Sequence, residues 1–174
     1  MTDIIQKALL FATEAHGKQM RKYTGEPYIV HPVEVMSIVK SVVSDEEVLA
    51  AALLHDVVED TPAVVADINQ HFGSRVASLV DELTDRSVLT DGNRKVRKEI
   101  DRSRLASASA EAQTVKLADL ISNTRSIVEH DPSFAKVYMA EKALLLKVLV
   151  RGNKELFAKA SALVVAYEKD VKKL

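Results

Sequence analysis

Apolar residues recur along this chain at intervals of three and four residues, which predicts amphipathic helices almost throughout. One such set, near the N-terminus, comprises Ile4, Ile5, Ala8, Leu9, Ala12 and Ala15. Another, near the middle of the chain, comprises Val76, Leu79, Val80 and Leu83. No segment shows the strict alternation of a half-buried strand, so we expect an all-α fold.

Local chemistry marks where several helices should begin and end. Ser44 followed by Glu47 matches a capping box, and the Thr61-Pro62 and Asp131-Pro132 steps put proline at a first helical position. Glycines that would end helices are Gly17, Gly73 and Gly152. Residues 25–32 carry two prolines and a glycine, which predicts an extended loop that delivers His31.

Residues 85–93 form a second irregular segment, and the sequence leaves open whether it is a mobile lid or a fixed loop. Neither an internal repeat nor a linker composition divides the chain. With 174 residues, 47% of them hydrophobic, one substantial core can be buried. We therefore expect a single domain over residues 1–174.

Charge and composition narrow the class of function. The 24 Lys and Arg nearly cancel the 25 Asp and Glu, so no bulk basic field indicates nucleic acid or an anionic membrane as partner. No cysteine is present, which excludes disulfides and thiolate metal sites. No apolar run approaches the roughly 18 residues of a membrane span, and no leader pattern opens the chain. We expect a cytoplasmic protein that acts on a small molecule.

The densest group of potential metal ligands follows the apolar run of residues 48–54. His55 and Glu59 are four residues apart, as are Asp56 and Asp60. If the helix continues, each acidic residue lies one turn from a potential ligand on the same face. Polar groups that end a buried helix need partners or a function.

One helix seldom completes a coordination sphere, so other segments should supply the remaining ligands. His31 and Asp119 are the natural candidates, because Asp119 follows an apolar helical stretch and His31 lies on the loop bracketed by prolines. A second interpretation stays open for each residue taken alone. His55 and Asp56 could be helix-end partners of the dipole, and backbone amides could satisfy Asp119.

Two imidazoles and two carboxylates suit Mn²⁺, Fe²⁺ or a similar divalent ion better than a thiophilic one. Such an ion lowers the pKa of a water molecule and offsets charge on phosphoryl oxygens. Glu59 could orient or deprotonate that water. Asp60 could hold a ligand in place or protonate the leaving oxygen.

Four motifs taken together resemble the hydrolase domain of the RelA/SpoT family. They are Phe11-Ala12 with His16-Gly17, Gln19 and Arg21-Lys22; Gly25-Glu26-Pro27-Tyr28-Ile29-Val30-His31-Pro32; Leu53-Leu54-His55-Asp56-Val57-Val58-Glu59-Asp60-Thr61; and Val115-Lys116-Leu117-Ala118-Asp119. The match covers nearly the whole chain. In this order the motifs are highly specific.

The resemblance implies a helical HD fold typical of metal-dependent phosphohydrolases. It also implies one Mn²⁺ ion bound through His31, His55, Asp56 and Asp119. The implied reaction is hydrolysis of (p)ppGpp, guanosine tetra- or pentaphosphate, to GDP or GTP plus pyrophosphate, as in the stringent response. Because 174 residues leave no room for a synthetase domain, the expected relatives are stand-alone alarmone hydrolases.

Further residues correspond to the family's nucleotide site. Lys22 and Thr24 occupy the loop that in relatives contacts the guanine side, and Asn123 fits the family's Asp-x3-Asn pattern after Asp119. Tyr138 is expected to stack on the base or border it. A basic group that could hold the 5′-phosphates, or could be a solvated helix face, comprises Arg94, Lys95 and Lys98.

Two alternative functions remain open from the sequence. The first is an HD phosphatase or phosphodiesterase that acts on another nucleotide. The second is a helical nucleotide-binding protein without turnover, although the complete set of candidate ligands argues against a degenerate site. The oligomeric state also stays open and includes a homodimer, since the late apolar residues could form either core or a self-association surface. These residues are Met139, Leu144, Leu145, Leu146, Val148 and Leu149.

Overall fold

A computed structural model describes residues 3–171, and it confirms the all-helical prediction: apart from one isolated bridge between Met20 and Pro27, the described residues contain no β-structure. The backbone groups into two compact units. One holds the described residues up to Asp85, and the other begins at Arg86. Each unit is described by itself below.

Six α-helices make up the first unit. They are α1 (Asp3–His16), α2 (Val30–Lys40), α3 (Glu46–Leu54), α4 (Val57–Asp60), α5 (Val65–Phe72) and α6 (Ser74–Leu83). Helix α3 is the centre of this unit because α1, α2 and α6 all pack against it. Its residues 48–54 are all buried, as expected for a helix that is apolar on every face.

The second unit contains a 3₁₀ turn and four α-helices. They are the turn at Leu89–Asp91, α7 (Arg94–Ser107), α8 (Ala110–His130), α9 (Pro132–Leu146) and α10 (Lys154–Val171). Helix α8 packs against both α9 and α10. The late apolar residues contribute mainly to this core: Met139, Leu145, Leu146 and Leu149 are buried, whereas Leu144 is 42% exposed.

Buried polar side chains of α8 fix the chain that connects α9 to α10. Gln113 accepts a hydrogen bond from the amide of Arg151 (2.9 Å), and Thr114 accepts one from that of Asn153 (2.9 Å). Between these contacts Gly152 lies so close to α8 that a Cβ atom there would be 2.7 Å from Leu117. The predicted helix stop at Gly152 is therefore wrong. The glycine permits close packing instead, and α9 ends six residues earlier.

The predicted irregular segment at residues 85–93 is present, with the 3₁₀ turn inside it. Its start within the second unit is fastened by the buried carboxylate of Asp101. That carboxylate accepts hydrogen bonds from the amides of Arg86 (3.0 Å) and Ser87 (3.0 Å) and from the Ser87 hydroxyl (2.7 Å). Residues 86–87 are thus anchored, while Val88 and Leu89 are 55% and 80% exposed.

Two predicted helix starts are wrong and one is confirmed. The N-cap of α3 is Asp45 rather than Ser44, and its carboxylate accepts from the amides of Glu47 and Val48. Pro62 does not open a helix, because Thr61 is extended (φ −131°, ψ 170°) and α5 begins only at Val65. Pro132 does open α9, after an Asp131 cap. No helix within residues 3–171 combines the length and apolar character that crossing a bilayer requires.

Candidate functional site

His31 is delivered by a short antiparallel loop that ends in a helix. The loop is closed by backbone hydrogen bonds from Arg21 to Glu26 (2.8 Å) and from Tyr28 to Gln19 (2.9 Å). Helix α2 begins at Val30, so His31 lies in its first turn rather than in an extended loop as predicted. The position in a helix fixes the imidazole, which is 1% exposed.

His55 and Asp56 occupy a break between two helices. Helix α3 ends at Leu54 with His55 as its C-cap, and Asp56 (φ −99°, ψ −6°) precedes α4. The condition considered for the sequence, one helix that continues through this segment, is therefore not met. The amide of Asp60 still donates to the carbonyl of Asp56 (2.9 Å), so the one-turn relation between those two residues holds.

Three side chains converge at this break. One ligand atom from each of His31, His55 and Asp56 lies within 4.8 Å of the others. Oδ2 of Asp56 is 3.0 Å from Nε2 of His55 and 3.5 Å from Nε2 of His31. The sequence-based grouping of these residues agrees with this geometry.

The tautomer of His55 suits a metal ligand. Its Nδ1 is 2.8 Å from the carbonyl oxygen of Ala52, and a carbonyl can only accept, so Nδ1 carries the proton. Nε2 is therefore the ring nitrogen that faces the carboxylate of Asp56. A ring nitrogen and a carboxylate oxygen 3.0 Å apart are close enough to bind one cation together, so the pair fits a metal site.

Electrostatics at Asp56 favour the charged form. Burial by itself would raise the pKa of this carboxyl, but the imidazoles of His55 and His31 outweigh burial and hold the pKa well below its ordinary value. The side chain therefore remains a carboxylate at neutral pH. The donor set of two imidazole nitrogens and one carboxylate oxygen fits a divalent ion of borderline-to-hard character.

Glu59 and Asp60, the predicted catalytic carboxylates, are both exposed on α4. Oε2 of Glu59 accepts a hydrogen bond from the amide of Asp85 (3.2 Å). Oδ2 of Asp60 lies 3.5 Å from the side-chain amide of Gln19, a long contact. Both carboxylates lie on the helix that begins directly after Asp56. Each of them makes at least one polar contact with a neighbouring residue.

Asp119 lies on α8 in the second unit and is 6% exposed. Nζ of Lys116 is 2.9 Å from Oδ2 of Asp119, and the amide of Asn123 donates to Oδ1 (2.6 Å). All three residues lie on one face of α8, as their spacing predicts. The contact makes Asn123 a partner that orients Asp119. Its predicted role at the nucleotide stays a prediction, as does ligation by Asp119.

The two candidate residues of the guanine loop are exposed in the first unit. Lys22 donates to the hydroxyl of Tyr23 (3.1 Å), and its ammonium lies 4.7 Å from the centre of that ring. The hydroxyl of Thr24 accepts from the amide of Glu26 at 3.5 Å. These contacts shape the loop and leave both side chains on the surface.

In the second unit the basic candidates differ from one another. The guanidinium of Arg94 pairs with both oxygens of Glu141 (2.7 and 2.9 Å) and lies 5.2 Å from the centre of the Phe134 ring. Arg94 thereby ties the start of α7 to α9. Lys95 is exposed and Lys98 partly so, while Tyr138 is buried with the ammonium of Lys142 4.7 Å from its ring centre.

Tyr28 is a site residue to which the sequence assigned no role. Its hydroxyl donates to Oδ2 of Asp56 at 2.7 Å. The residue is part of the matched motif and precedes His31 by three positions. The sequence signal that could have revealed this role is a tyrosine only three positions before the candidate ligand His31.

Known protein families and proteins match the part of the chain that contains the candidate site residues. The family model described as HD domain matches residues 8–146, which include parts of both units. A guanosine-3′,5′-bis(diphosphate) 3′-pyrophosphohydrolase of Drosophila melanogaster is 39% identical over 130 residues, 73% of this chain and 71% of that protein. An Aquifex aeolicus protein described by the same activity is 50% identical over 80 residues. Those cover 46% of this chain and only 11% of that longer protein.

Two solved structures are similar to this chain in fold. The structure of a metazoan SpoT ortholog described as hydrolysing ppGpp matches with a TM-score of 0.86 at 31% identity, covering 96% of this chain and 97% of the other. A protein of Listeria monocytogenes matches with a TM-score of 0.70 at 28% identity, covering 85% of this chain and 99% of the other.

Proposed function

Because the chain belongs to the HD-domain family, in the group that contains the RelA/SpoT hydrolases, we propose that it hydrolyses the 3′-diphosphate of (p)ppGpp. Water attacks the phosphorus bonded to the 3′-oxygen, that ester bond breaks, and the products are GDP or GTP plus pyrophosphate. The observation that carries the proposal is the convergence of His31, His55 and Asp56 in a chain of this family.

The proposed metal ligands are His31, His55, Asp56 and Asp119, and the proposed ion is Mn²⁺. Their nitrogen and oxygen donors support this choice, as does the closeness of the first three. Asp119 is included because it is a buried carboxylate at the matching position of the family motif. When bound, the ion supplies Lewis acidity, which activates water and offsets charge on phosphoryl oxygens.

The chain's own carboxylates handle the protons in this proposal. Glu59 accepts the proton of the attacking water, which suits an exposed carboxylate that one backbone amide already orients. Asp60 holds the α4 segment through Gln19 or returns a proton to the 3′-oxygen as it leaves.

The proposed substrate contacts are those of the sequence motifs. Lys22, Thr24, Asn123 and Tyr138 are assigned to the nucleoside side of the substrate. Lys95, which is exposed, and Lys98, which is partly exposed, are assigned to the 5′-phosphates, because ammonium groups suit a multiply charged anion. Arg94 belongs to the same group, and its pairing with Glu141 makes it the weaker phosphate contact of the three.

The same proposal includes a cytoplasmic location and a part in the stringent response, which follow from the substrate. A single domain over residues 1–174 also stays a prediction, supported by a family match that spans 8–146. So does a homodimer, for which exposed Val137, Leu144 and Val150 offer apolar surface. Sedimentation of the purified protein would measure its state of association.

The test is pyrophosphate release from ppGpp by metal-stripped protein, with and without added Mn²⁺. The panel should include pppGpp, a 3′-monophosphorylated nucleotide and a cyclic nucleotide. Mg²⁺ and Zn²⁺ replace Mn²⁺ in parallel samples. We expect release from ppGpp only when a divalent ion is present, with Mn²⁺ the most effective.

Two outcomes would overturn the proposal in different ways. Metal-dependent turnover of another nucleotide with none of ppGpp would keep the HD chemistry and replace the substrate. Tight ppGpp binding without any product, at every metal tested, would make the protein a nucleotide-binding relative that lacks turnover.

A further inference from the structure

We infer that Tyr28 is a positioning residue whose hydroxyl aims the carboxylate of Asp56 at the metal, an inference that rests on the proposed metal-dependent function. Three distances end on the same atom, Oδ2 of Asp56: 2.7 Å from the Tyr28 hydroxyl, 3.0 Å from Nε2 of His55 and 3.5 Å from Nε2 of His31. The oxygen that faces both imidazoles is thus the one that Tyr28 contacts.

A carboxylate oxygen has two lone pairs, so the contact with Tyr28 leaves one for a metal ion. The hydrogen bond also opposes rotation of the carboxylate about its Cβ–Cγ bond. Because Asp56 lies in a two-residue break between α3 and α4, regular helix geometry alone does not orient its side chain. The hydroxyl of Tyr28 supplies that restraint.

Tyr28 can orient another residue because its own backbone and ring are held. Its amide donates to the carbonyl of Gln19 (2.9 Å), and its carbonyl accepts from the amide of His31 (3.0 Å). The ring centre lies 4.5 Å from that of His16 and 5.9 Å from that of His31. One residue thus couples the closing loop, one imidazole ligand and the carboxylate ligand.

His16 is the buried residue against which the ring of Tyr28 packs. It is 5% exposed, and its Nδ1 lies 2.9 Å from Oε1 of Gln19, the residue whose backbone carbonyl also holds Tyr28. The contact with the His16 ring explains an aromatic side chain at position 28, but it gives no reason for a hydroxyl. A purely packing role would be met equally well by phenylalanine, so the two explanations separate experimentally.

The experiment compares Tyr28→Phe with the unaltered protein, both stripped of metal and then titrated with Mn²⁺ by calorimetry. Partners that hold metal ligands are typically worth 10- to 100-fold in metal affinity, so we expect the dissociation constant to rise by about that factor. The visible spectrum of the Co²⁺-loaded protein should also change, because the carboxylate is no longer held in one orientation. Circular dichroism should stay unchanged, since the ring contacts remain.

Tyr167→Phe is the matched control, because it removes the same atom from α10 without touching a proposed ligand. Its Mn²⁺ affinity and Co²⁺ spectrum should equal those of the unaltered protein. Weaker binding in Tyr28→Phe alone supports the inference, even if the protein fails to hydrolyse ppGpp. Equal affinity and an identical spectrum in Tyr28→Phe would overturn it, while active unaltered protein would leave the proposed function standing.

Discussion

The two units each contain a carboxylate that we propose as a metal ligand, yet the side chains around the two carboxylates differ. In the first unit Asp56 faces two imidazole nitrogens and a tyrosine hydroxyl. In the second unit Asp119 is paired with the ammonium of Lys116 and the amide of Asn123, both from its own helix.

The group around Asp56 could bind a cation, whereas Asp119 is already paired with the cationic side chain of Lys116. Around Asp56 the contacts described are with two imidazoles and a tyrosine hydroxyl, and imidazoles are common metal ligands, so a divalent ion fits this group. Around Asp119 a lysine supplies positive charge locally, and a bound ion would have to compete with it or share the carboxylate. The first unit therefore indicates metal chemistry by itself, whereas Asp119 requires an experiment.

The largest expected effect is that of His55→Ala in the first unit. Loss of this imidazole should weaken Mn²⁺ binding by more than about 100-fold, since even supporting partners reach that factor, and should abolish turnover. Calorimetry and pyrophosphate release measure the two effects. His130→Ala, at the exposed end of α8, is the control and should behave as the unaltered protein does. Full metal content and rate in His55→Ala would remove His55 from the site.

Glu59→Gln should separate catalysis from metal binding within the first unit. The amide oxygen can still accept from the amide of Asp85, so the local geometry is kept, but the side chain can no longer take a proton. We expect kcat to fall by about 10²- to 10⁴-fold, with Mn²⁺ affinity unchanged. Should the variant lose its metal instead, Glu59 would be a ligand or a structural residue.

Lys116→Met tests the other side of the comparison, in the second unit. Removing one partner from a mostly buried ion pair should cost the metal-free protein about 3 kcal/mol in urea unfolding. Because the competing ammonium is gone, Mn²⁺ should then bind more tightly and restore part of the stability.

The control for this variant is Lys159→Met, which breaks an exposed pair with Glu155 and should cost no more than about 0.5 kcal/mol. Mn²⁺ affinity identical in Lys116→Met and the unaltered protein would argue against Asp119 as a ligand.

The smallest effect is expected at Asp45, at the opposite end of α3 from the metal ligands. The hydrogen bond from Arg75 is the main cause that lowers the pKa of this carboxyl in the folded protein. A depressed folded pKa stabilises the protein above the unfolded value of about 3.9, and the contribution is lost as pH falls through the folded pKa.

Asp45→Asn keeps a capping acceptor but removes that charge, so it should lower stability at pH 7 by less than about 1 kcal/mol. Unfolding curves of both proteins should converge as pH falls below about 4. A gap that persists at pH 2, or a change in Mn²⁺ affinity, would contradict this assignment.

Periodicity predicted the helical fold, because it depends on local pattern. The grouping of His31 with His55 and Asp56 was predicted from residue type and from the resemblance to the family, because spacing alone does not relate segments more than 20 residues apart. The exact ends of several helices were not predicted, because neighbouring residues compete to cap the same backbone amides. The break at His55 and Asp56 and the choice of Asp45 over Ser44 as cap follow from which residues bury and which amides find acceptors. Neither choice leaves a distinctive sequence signal.

The role of Tyr28 was also missed, since its hydroxyl meets Asp56 across 28 positions of sequence. Long-range contacts of single side chains depend on tertiary packing rather than on spacing. The same is true of Gly152. The sequence indicated a helix stop at this glycine, whereas its actual role is to permit close packing against α8.

The most direct test of the central claim is to follow ppGpp hydrolysis by ³¹P nuclear magnetic resonance, with metal-stripped protein to which Mn²⁺ is added. The account predicts that the two 3′-phosphates leave together as pyrophosphate while the 5′-diphosphate stays intact on GDP. Release of orthophosphate, cleavage at the 5′ position, or equal turnover without a divalent ion would contradict it.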